Sequence, residues 1–493
     1  MKVLFDITVL FSCFLYLLIA ATSHVISKNK KHHIVFGALL LIITTISFLF
    51  SVEDWRTHVV LFFVFFFTVF NSFTHSLNTK FISAIKTILV TTGFLLAMAS
   101  AFACYAFPVN NLSAPTGKFA VGTASFMMAD TSRPELYGNN DWKGHARRIM
   151  VQVWYPALYK DGTIPTTNPV KSVLHKATGS RQAWIPDTAV HKALARFGNF
   201  PEFIMSHLGL IQSNSYQKAI VASPAVRYPV IIISHGWGGS RYIHANLAEE
   251  YASHGFIVFA IDHTYGSLAV EFPDGAIAYR DENALGSFMA ERDSNYWKRA
   301  FILENTYAGD IELLLNAILN GSLSLELPTK AGIVSLQALL DSGNIGLIAH
   351  STGAGAGYYL TEQRNEIKAY IALDAWLEPV EETLAPSQAS VLHVGSAQWE
   401  QGPNAELVAK TLKLTPNSIS LRIKDSTHMD MAMIRYMTSI GSLIRWSGTI
   451  NKHVYESSLR RVTLDWFTAI LIKNDPEQAL TSARALKGIY PFY

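Results

Sequence analysis

Cysteine is almost absent from this chain: 493 residues carry two, Cys13 and Cys104. Both fall in apolar runs, where packing accounts for them, so neither a disulfide framework nor a cysteine metal site is read, and the redox compartment stays open. Charge is also sparse. Asp, Glu, Lys and Arg make up 16% of the residues, the net charge is +3, and no long basic block occurs, so nothing points to nucleic acid. Metal catalysis lacks its usual signatures: there is no HExxH and no paired cysteine or aspartate cluster, and His32-His33 belongs to a basic loop. No metal and no cofactor is therefore expected.

What the chain has in quantity is apolar surface. Half of its residues are hydrophobic, and the mean hydropathy is +0.21, high for a soluble protein. Four apolar stretches follow one another at the start: Val3 to Thr22, Ile34 to Ser51, Val59 to Phe73 and Ile85 to Phe107. A membrane-spanning helix needs about 20 mostly apolar residues, and four such helices are predicted, with residues 1–107 forming an anchor. Lys28, Lys30 and Lys31 lie between the first two stretches and Lys80 and Lys86 about the last junction, whereas the middle loop carries Glu53, Asp54 and a single Arg56. Basic loops stay in the cytoplasm. This predicts a multi-pass protein with its N-terminus and everything after Phe107 on the non-cytoplasmic side. A cleaved signal peptide in residues 1–22 is the competing reading, and it would put the Lys28 to Lys31 cluster on the wrong side. No charge is read deep within a span, which favours anchoring over transport.

Pro108 to Gly117 reads as a linker, and residues 108–493 then take the composition of an α/β domain. Strands are expected near Lys118 to Met128 and Arg147 to Tyr155. Residues 157–228 read as an irregular insertion, either a lid beside the site or a plain surface excursion, with a helix near Val190 to Phe197. Tyr228 to Ser234 is a continuous β-branched run of the kind buried in parallel sheets, and it ends in His235-Gly-Trp-Gly-Gly239. A helix from Tyr242 and a strand from Phe256 to Ile261 follow, the arrangement of a right-handed crossover. An apolar helical stripe runs from Trp297 to Asn320, and strands are expected at Ala369 to Leu373, Ser390 to Gly395 and Ser418 to Ile423.

The chemistry centres on Ile345 to Gly357, Ile-Gly-Leu-Ile-Ala-His-Ser-Thr-Gly-Ala-Gly-Ala-Gly. This reads as strand, sharp turn and helix, with Ser351 on the turn. A serine held there needs small neighbours, since the backbone is strained and the hydroxyl must stand clear of the sheet. Ala349 stands where the GxSxG pattern has its first glycine. The same stretch also imitates a dinucleotide-binding turn, with Asp374 about 20 residues on as the ribose ligand, but the third glycine of that motif falls on Tyr358. Ser351, Asp374 and His428 occur in the order nucleophile, acid and histidine, each at or beyond the end of a strand. Asp425 and Asp430 are alternative acids. The glycine-rich turn after Ser234 would present a backbone N–H to a developing oxyanion. The reading is an α/β-hydrolase fold with a mostly parallel sheet, and a catalytically idle hydrolase-fold binding module is its competitor.

Ser-His-Gly-Trp-Gly-Gly-Ser (234–240), Ala-Ser-His-Gly-Phe-Ile-Val (252–258), Ala-His-Ser-Thr-Gly-Ala-Gly (349–355) and Ile-Ala-Leu-Asp-Ala-Trp (371–376) together resemble the platelet-activating factor acetylhydrolase family, plasma and isoform II type. The resemblance covers most of residues 115 to 473. It implies a serine esterase of phospholipase A2-like type that cleaves short or oxidised sn-2 acyl groups from phospholipids without calcium; a carboxylesterase or lipase on other lipophilic esters is the alternative. It also implies Ser351 as nucleophile, Asp374 as acid, His428 as base, and the backbone N–H groups of Trp237 and Thr352 as the oxyanion hole. His235 then shapes its loop rather than reacts. The implied partners are a phospholipid or other lipophilic ester and the bilayer itself. The four spans depart from the secreted members of that family.

Overall fold

The computed structural model describes residues 2–26, 39, 42, 54–74, 79–138, 142–160, 178–285 and 294–493. The chain resolves into two compact units: residues 1–111 with 194–211 and 436–440, and residues 112–193, 212–435 and 441–493. The first unit thus takes two short segments from far along the chain, one of them from inside the expected insertion.

Among the described residues, three long helices build the first unit: α1 (Lys2–Ile26), α2 (Trp55–Thr74) and α3 (Lys80–Ala106). The second apolar stretch, Ile34 to Ser51, and the Lys28 to Lys31 loop lie outside the described residues apart from Leu39 and Ile42. Among the described residues, two helices are long and apolar enough to cross a membrane, Val3–Ala21 and Lys80–Ala106, and Trp55–Asn71 is a shorter apolar helix. Val9, Cys13, Leu17, Val60, Val64, Phe67 and Ala97 form the interior. Contacts fix the directions. Asp6 meets Arg56 and Tyr16 meets Phe67, so α1 and α2 run parallel. Arg56 donates to the Phe107 carbonyl and Lys86 to that of Thr74, so α3 runs antiparallel to both. One charge does lie within an apolar stretch, because Asp6 is only 5% exposed. Its partner Arg56 also chelates Asp54 at 2.7 and 2.9 Å.

The second unit is organised by a ten-stranded sheet. Its strands in chain order are β1 (Ala120–Pro134), β2 (Ala146–Ala157), β3 (Ser180–Ala183), β4 (Gln212–Gln217), β5 (Tyr228–Ser234), β6 (Ile257–Asp262), β7 (Leu340–His350), β8 (Ile367–Leu373), β9 (Ser390–Ser396) and β10 (Ser418–Ile423). They lie side by side as β10-β9-β8-β7-β5-β6-β2-β1-β4-β3. The six from β10 to β6 are mutually parallel, and β2 and β1 join antiparallel. Four of the parallel strands, β5, β6, β8 and β9, are buried nearly end to end, as expected of strands covered on both faces by helices. The longer helices that follow among the described residues are α4 (Thr188–Phe197), α5 (Ala245–Ser253), α6 (Tyr296–Asn320), α7 (Thr352–Thr361), α8 (Pro403–Leu414), α9 (Lys452–Phe467) and α10 (Pro476–Leu486).

The expected insertion, residues 157–228, carries the helix read near Val190 to Phe197 and two strands that were not read. It holds β3, α4 and β4, and β4 pairs parallel with β1 as an extension of the main sheet. Residues 161–177 lie outside the described set.

Candidate functional site

β7 delivers Ser351 to the carboxyl edge of the sheet, at the junction with α7. There the backbone turns so sharply that Ser351 has φ 56° and ψ −122°, a conformation that costs of order 1–3 kcal/mol and persists only where surrounding contacts impose it. The contacts are visible. The Ser351 N–H donates to Leu373 O at 3.0 Å, and Ser351 O accepts from Ala354, Gly355 and Trp376 N–H. In register, Ala349 faces Ser234 on β5 and Ala372 on β8. Small neighbours on both sides explain why alanine serves where a glycine was expected. Gly353 admits no side chain: a Cβ there would lie 2.5 Å from His235 O.

β8 ends at Leu373 and hands over to Asp374, which is buried. One carboxylate oxygen accepts the Ser396 N–H at 2.6 Å and the other lies 3.1 Å from His428 Nδ1. Burial alone would raise the Asp374 pKa, but the hydrogen bond and charge of His428 and the Ser396 contacts hold it below the ordinary carboxylate value. An ionised Asp374 only accepts, so His428 carries its hydrogen on Nδ1 and turns the lone pair of Nε2 outward.

His428 opens a short 3-10 helix beyond β10. Its N–H donates to Gln398 Oε1 at 2.9 Å. The Trp399 ring stacks on its imidazole, with centroids 3.9 Å apart and planes 12° from parallel, while the ring of His350, the residue before Ser351, lies tilted by 36° to it with centroids 4.5 Å apart. The two alternative acids are committed elsewhere. Asp430 closes a capping box with Thr427 and binds Arg435 and Gly448, and Asp425 is exposed.

The turn after β5 lies directly against the serine. A Cβ added to Gly236 would come within 2.8 Å of the Ser351 Cβ, so the His235 to Trp237 backbone passes as close as glycine allows. Thr352 is the first residue of α7, where a backbone N–H has no intrahelical acceptor. The structure thus gathers Ser351, Thr352, Trp237, Asp374 and His428 into one cluster. Ser396, Gln398, Trp399 and His350 also belong to it and were not singled out from sequence. Ser396 and His350 had a signal, since each ends a strand; Gln398 and Trp399 had none.

Asp374 is turned towards His428 and Ser396 rather than towards the Gly353 to Gly357 turn, which is the geometry of a histidine-orienting acid and not of a ribose ligand. No group of three or more His, Cys, Asp or Glu able to hold a metal occurs among the described residues.

The sequence profile described as platelet-activating factor acetylhydrolase, isoform II, matches residues 172–466, more than half of the chain. Similar curated proteins include the platelet-activating factor acetylhydrolase of Bos taurus, 24% identical over 299 residues and covering 57% of this chain and 66% of that one. That of Canis lupus familiaris is 24% identical over 297 residues, covering 55% and 64%. The chain therefore spans about two thirds of the length of the curated relatives it matches. A solved ferulic acid esterase from Streptomyces cinnamoneus superposes with a TM-score of 0.51 at 19% identity, over 76% of this chain and 98% of that one. With the sheet order above, that likeness gives the α/β-hydrolase fold. The family resemblance carried by the four motifs is borne out: the chain belongs to the platelet-activating factor acetylhydrolase, isoform II, family.

Proposed function

We propose that the chain is a membrane-anchored serine esterase acting on phospholipids or similar lipophilic esters with a short acyl group. The observation that carries this reading is the His428–Asp374 hydrogen bond beside a serine held at a positive φ. In the reaction, Ser351 Oγ attacks the ester carbonyl carbon while His428 Nε2 accepts its proton. The charge that develops on the carbonyl oxygen is met by the Trp237 and Thr352 N–H groups. Collapse expels the alcohol, which takes the proton from His428, and leaves an acyl-Ser351. A water then repeats the sequence, its proton passing to His428 and back to Ser351 as the acid departs. Asp374 keeps the imidazole in the tautomer that can accept and steadies the imidazolium.

The membrane part of the proposal is four spans with the catalytic residues on the non-cytoplasmic side. Two features support it. Large apolar side chains stand exposed along the helices, among them Leu4, Phe11, Phe66, Phe73, Phe81, Ile88 and Phe102, an outward face that water disfavours and lipid accepts. And α1 and α2 run parallel, so the chain leaves α1 at one end of the bundle and enters α2 at the other; the 18 residues of Ile34 to Ser51 are apolar and long enough for that return. An anchored enzyme meets lipid esters at high local concentration.

The test uses the full chain in detergent. A fluorophosphonate probe is expected to label Ser351, and Ser351→Ala to abolish both labelling and hydrolysis of a short-chain ester. An acyl series on phospholipid and p-nitrophenyl esters then reads the substrate: preference for short sn-2 chains supports the phospholipid assignment, and indifference to the headgroup favours a general esterase. A folded wild type that neither labels nor hydrolyses any ester of the series would end the proposal.

A further inference from the structure

A second serine, histidine and aspartate are joined within the same unit. Ser234, the last residue of β5, places Oγ 2.8 Å from His263 Nε2, and His263 Nδ1 lies 3.0 Å from Asp310 Oδ2. Arg147 grips Asp310 with two bonds of 2.6 Å, and Arg133 adds a third at 2.9 Å. The Tyr307 ring stacks on His263 at 3.7 Å. This is the connectivity of a catalytic triad, but Ser234 and His263 are 0% exposed, so no ester can reach the hydroxyl. The arrangement has another use.

We propose that the Arg147–Asp310–His263–Ser234 relay is a positioning device that sets the oxyanion turn against Ser351. This rests on the reading of Ser351 as the nucleophile and Trp237 as an oxyanion donor. The polarity of the relay is determined by its anchor. Burial favours the neutral form of Asp310, yet the charge and hydrogen bonds of Arg147, and the bond from His263, hold it ionised far below the ordinary carboxylate range. Ionised Asp310 accepts only, so His263 keeps its hydrogen on Nδ1, and Ser234 must donate its hydroxyl hydrogen to Nε2. Each rotor has one setting. Burial also keeps His263 neutral, so the setting does not change near neutral pH.

Ser234 sits where that setting matters. A Cβ at Gly353 would lie 2.6 Å from Ser234 Oγ and 2.5 Å from His235 O, and one at Gly236 would lie 2.8 Å from the Ser351 Cβ. The end of β5 therefore packs on the first turn of α7, two residues beyond Ser351. The following turn is tied down from the same side: His235 Nε2 lies 2.8 Å from Ser267 Oγ, Ser267 Oγ donates to Asp262 Oδ1 at 3.2 Å, and Gly238 N–H donates to Gly266 O at 2.8 Å. Two buried anchors thus bracket the Trp237 N–H. A hydrogen-bond donor assists the reaction only if it is already aimed at the point where charge develops.

The inference predicts losses in the transition state rather than in binding. Ser234→Ala is expected to lower kcat about 10- to 100-fold, the scale of a misplacement of about 1 Å, while KM stays within roughly twofold. The Ki of a trifluoromethyl ketone analogue, which forms an oxyanion on Ser351, should rise by the same factor as kcat falls. The pH dependence should not move, since the His428–Asp374 pair is untouched. Gly353→Ala presses on the same contact without deleting a hydrogen bond, and carries the test should Ser234→Ala fail to fold. Either folded variant keeping wild-type kcat and Ki overturns the inference. So does a loss of activity that tracks the melting temperature with Ki unchanged. Fluorophosphonate labelling of the wild type reports separately on the underlying reading: label on Ser351 upholds it whatever the variants do, and label on Ser234 overturns both.

Discussion

Asp374 shows what one residue contributes. It spends one oxygen on the Ser396 N–H and the other on His428, so replacing it by asparagine keeps the shape but offers His428 an N–H in place of an acceptor. In the proposed mechanism His428 would then present the wrong tautomer to Ser351. Asp374→Asn is expected to lower kcat by about 10³- to 10⁴-fold with KM nearly unchanged, read by steady-state kinetics on a short-chain ester; a loss under tenfold would count against Asp374 as the acid. The buried histidines make a second prediction. Burial lowers His393 and His244 from 6.5 to about 4, and it pushes His350, His235 and His263 down as well. Their folded pKa lies below the unfolded one, so unfolding takes up protons as the solution acidifies. The stability these groups contribute is complete above pH 6.5 and is lost towards pH 4. Asp374 and Asp310 are depressed too, but from the lower carboxylate value, and so yield only at lower pH. The melting temperature should fall steeply across that window, and His393→Gln should flatten the fall; an unchanged slope in the variant would refute the assignment for His393. Ser351, Asp374 and His428 were legible because chain order and strand ends mark them. The stacked Trp399 and the Gln398 acceptor were not, because they approach His428 across about 30 residues of chain with no local pattern.

At the scale of elements, legibility follows apolar patterning. The buried parallel strands were placed within a few residues, but β7 begins at Leu340 rather than Ile345: Asp341 to Asn344 interrupt the apolar run, and the ladder to β5 shifts register across them. β4 was invisible for a different reason. It reads Gln-Ser-Asn-Ser-Tyr-Gln and has no apolar alternation; it is held by its ladder to β1, by the Ser213–Ser215 bond, and by Asn214 on the buried Glu249. Arg56 carries the opposite lesson. It was read only as the single basic residue of the middle loop, yet it lies in the first turn of α2 and joins Asp6 of α1, Asp54 and the Phe107 carbonyl at one end of the helical unit. Removing one member of a buried ion cluster leaves the others uncompensated and costs roughly 3–5 kcal/mol. Arg56→Gln should therefore lower the melting temperature of the detergent-solubilised chain markedly, while Asp6→Asn, which keeps a polar partner, should cost less. Equal stability of Arg56→Gln and wild type, followed by far-ultraviolet circular dichroism, would show that the cluster does not hold α1 to α2.

The whole molecule raises the question of sides. Asp6, Arg56 and Phe107 mark the end of the helical unit from which the chain proceeds to residue 112 and beyond, and the same unit recruits residues 194–211 and 436–440 there: Phe203 packs on Trp55, His207 on Phe107, and Thr438 donates to Ala106 O. Lys80 and Lys86 lie towards the opposite end, where Lys86 reaches the Thr74 carbonyl. If basic residues stay cytoplasmic, the end bearing Phe107 faces away from the cytoplasm, and so does every later residue. Asn320-Gly321-Ser322 offers a reporter for this. Asn320 ends α6, is exposed, and stands in an Asn-x-Ser acceptor sequence. Translation with microsomes is expected to add a glycan that Asn320→Gln removes, on a product that resists alkaline extraction. A product that remains unglycosylated there and is digested by protease added outside the vesicles would place the α/β unit in the cytoplasm, and would mean that the lysines about α3 do not set the orientation. The hydrolytic chemistry would survive that outcome, because Ser351, Asp374, His428 and the turn at Trp237 all lie within the α/β unit; what would change is which leaflet supplies the ester.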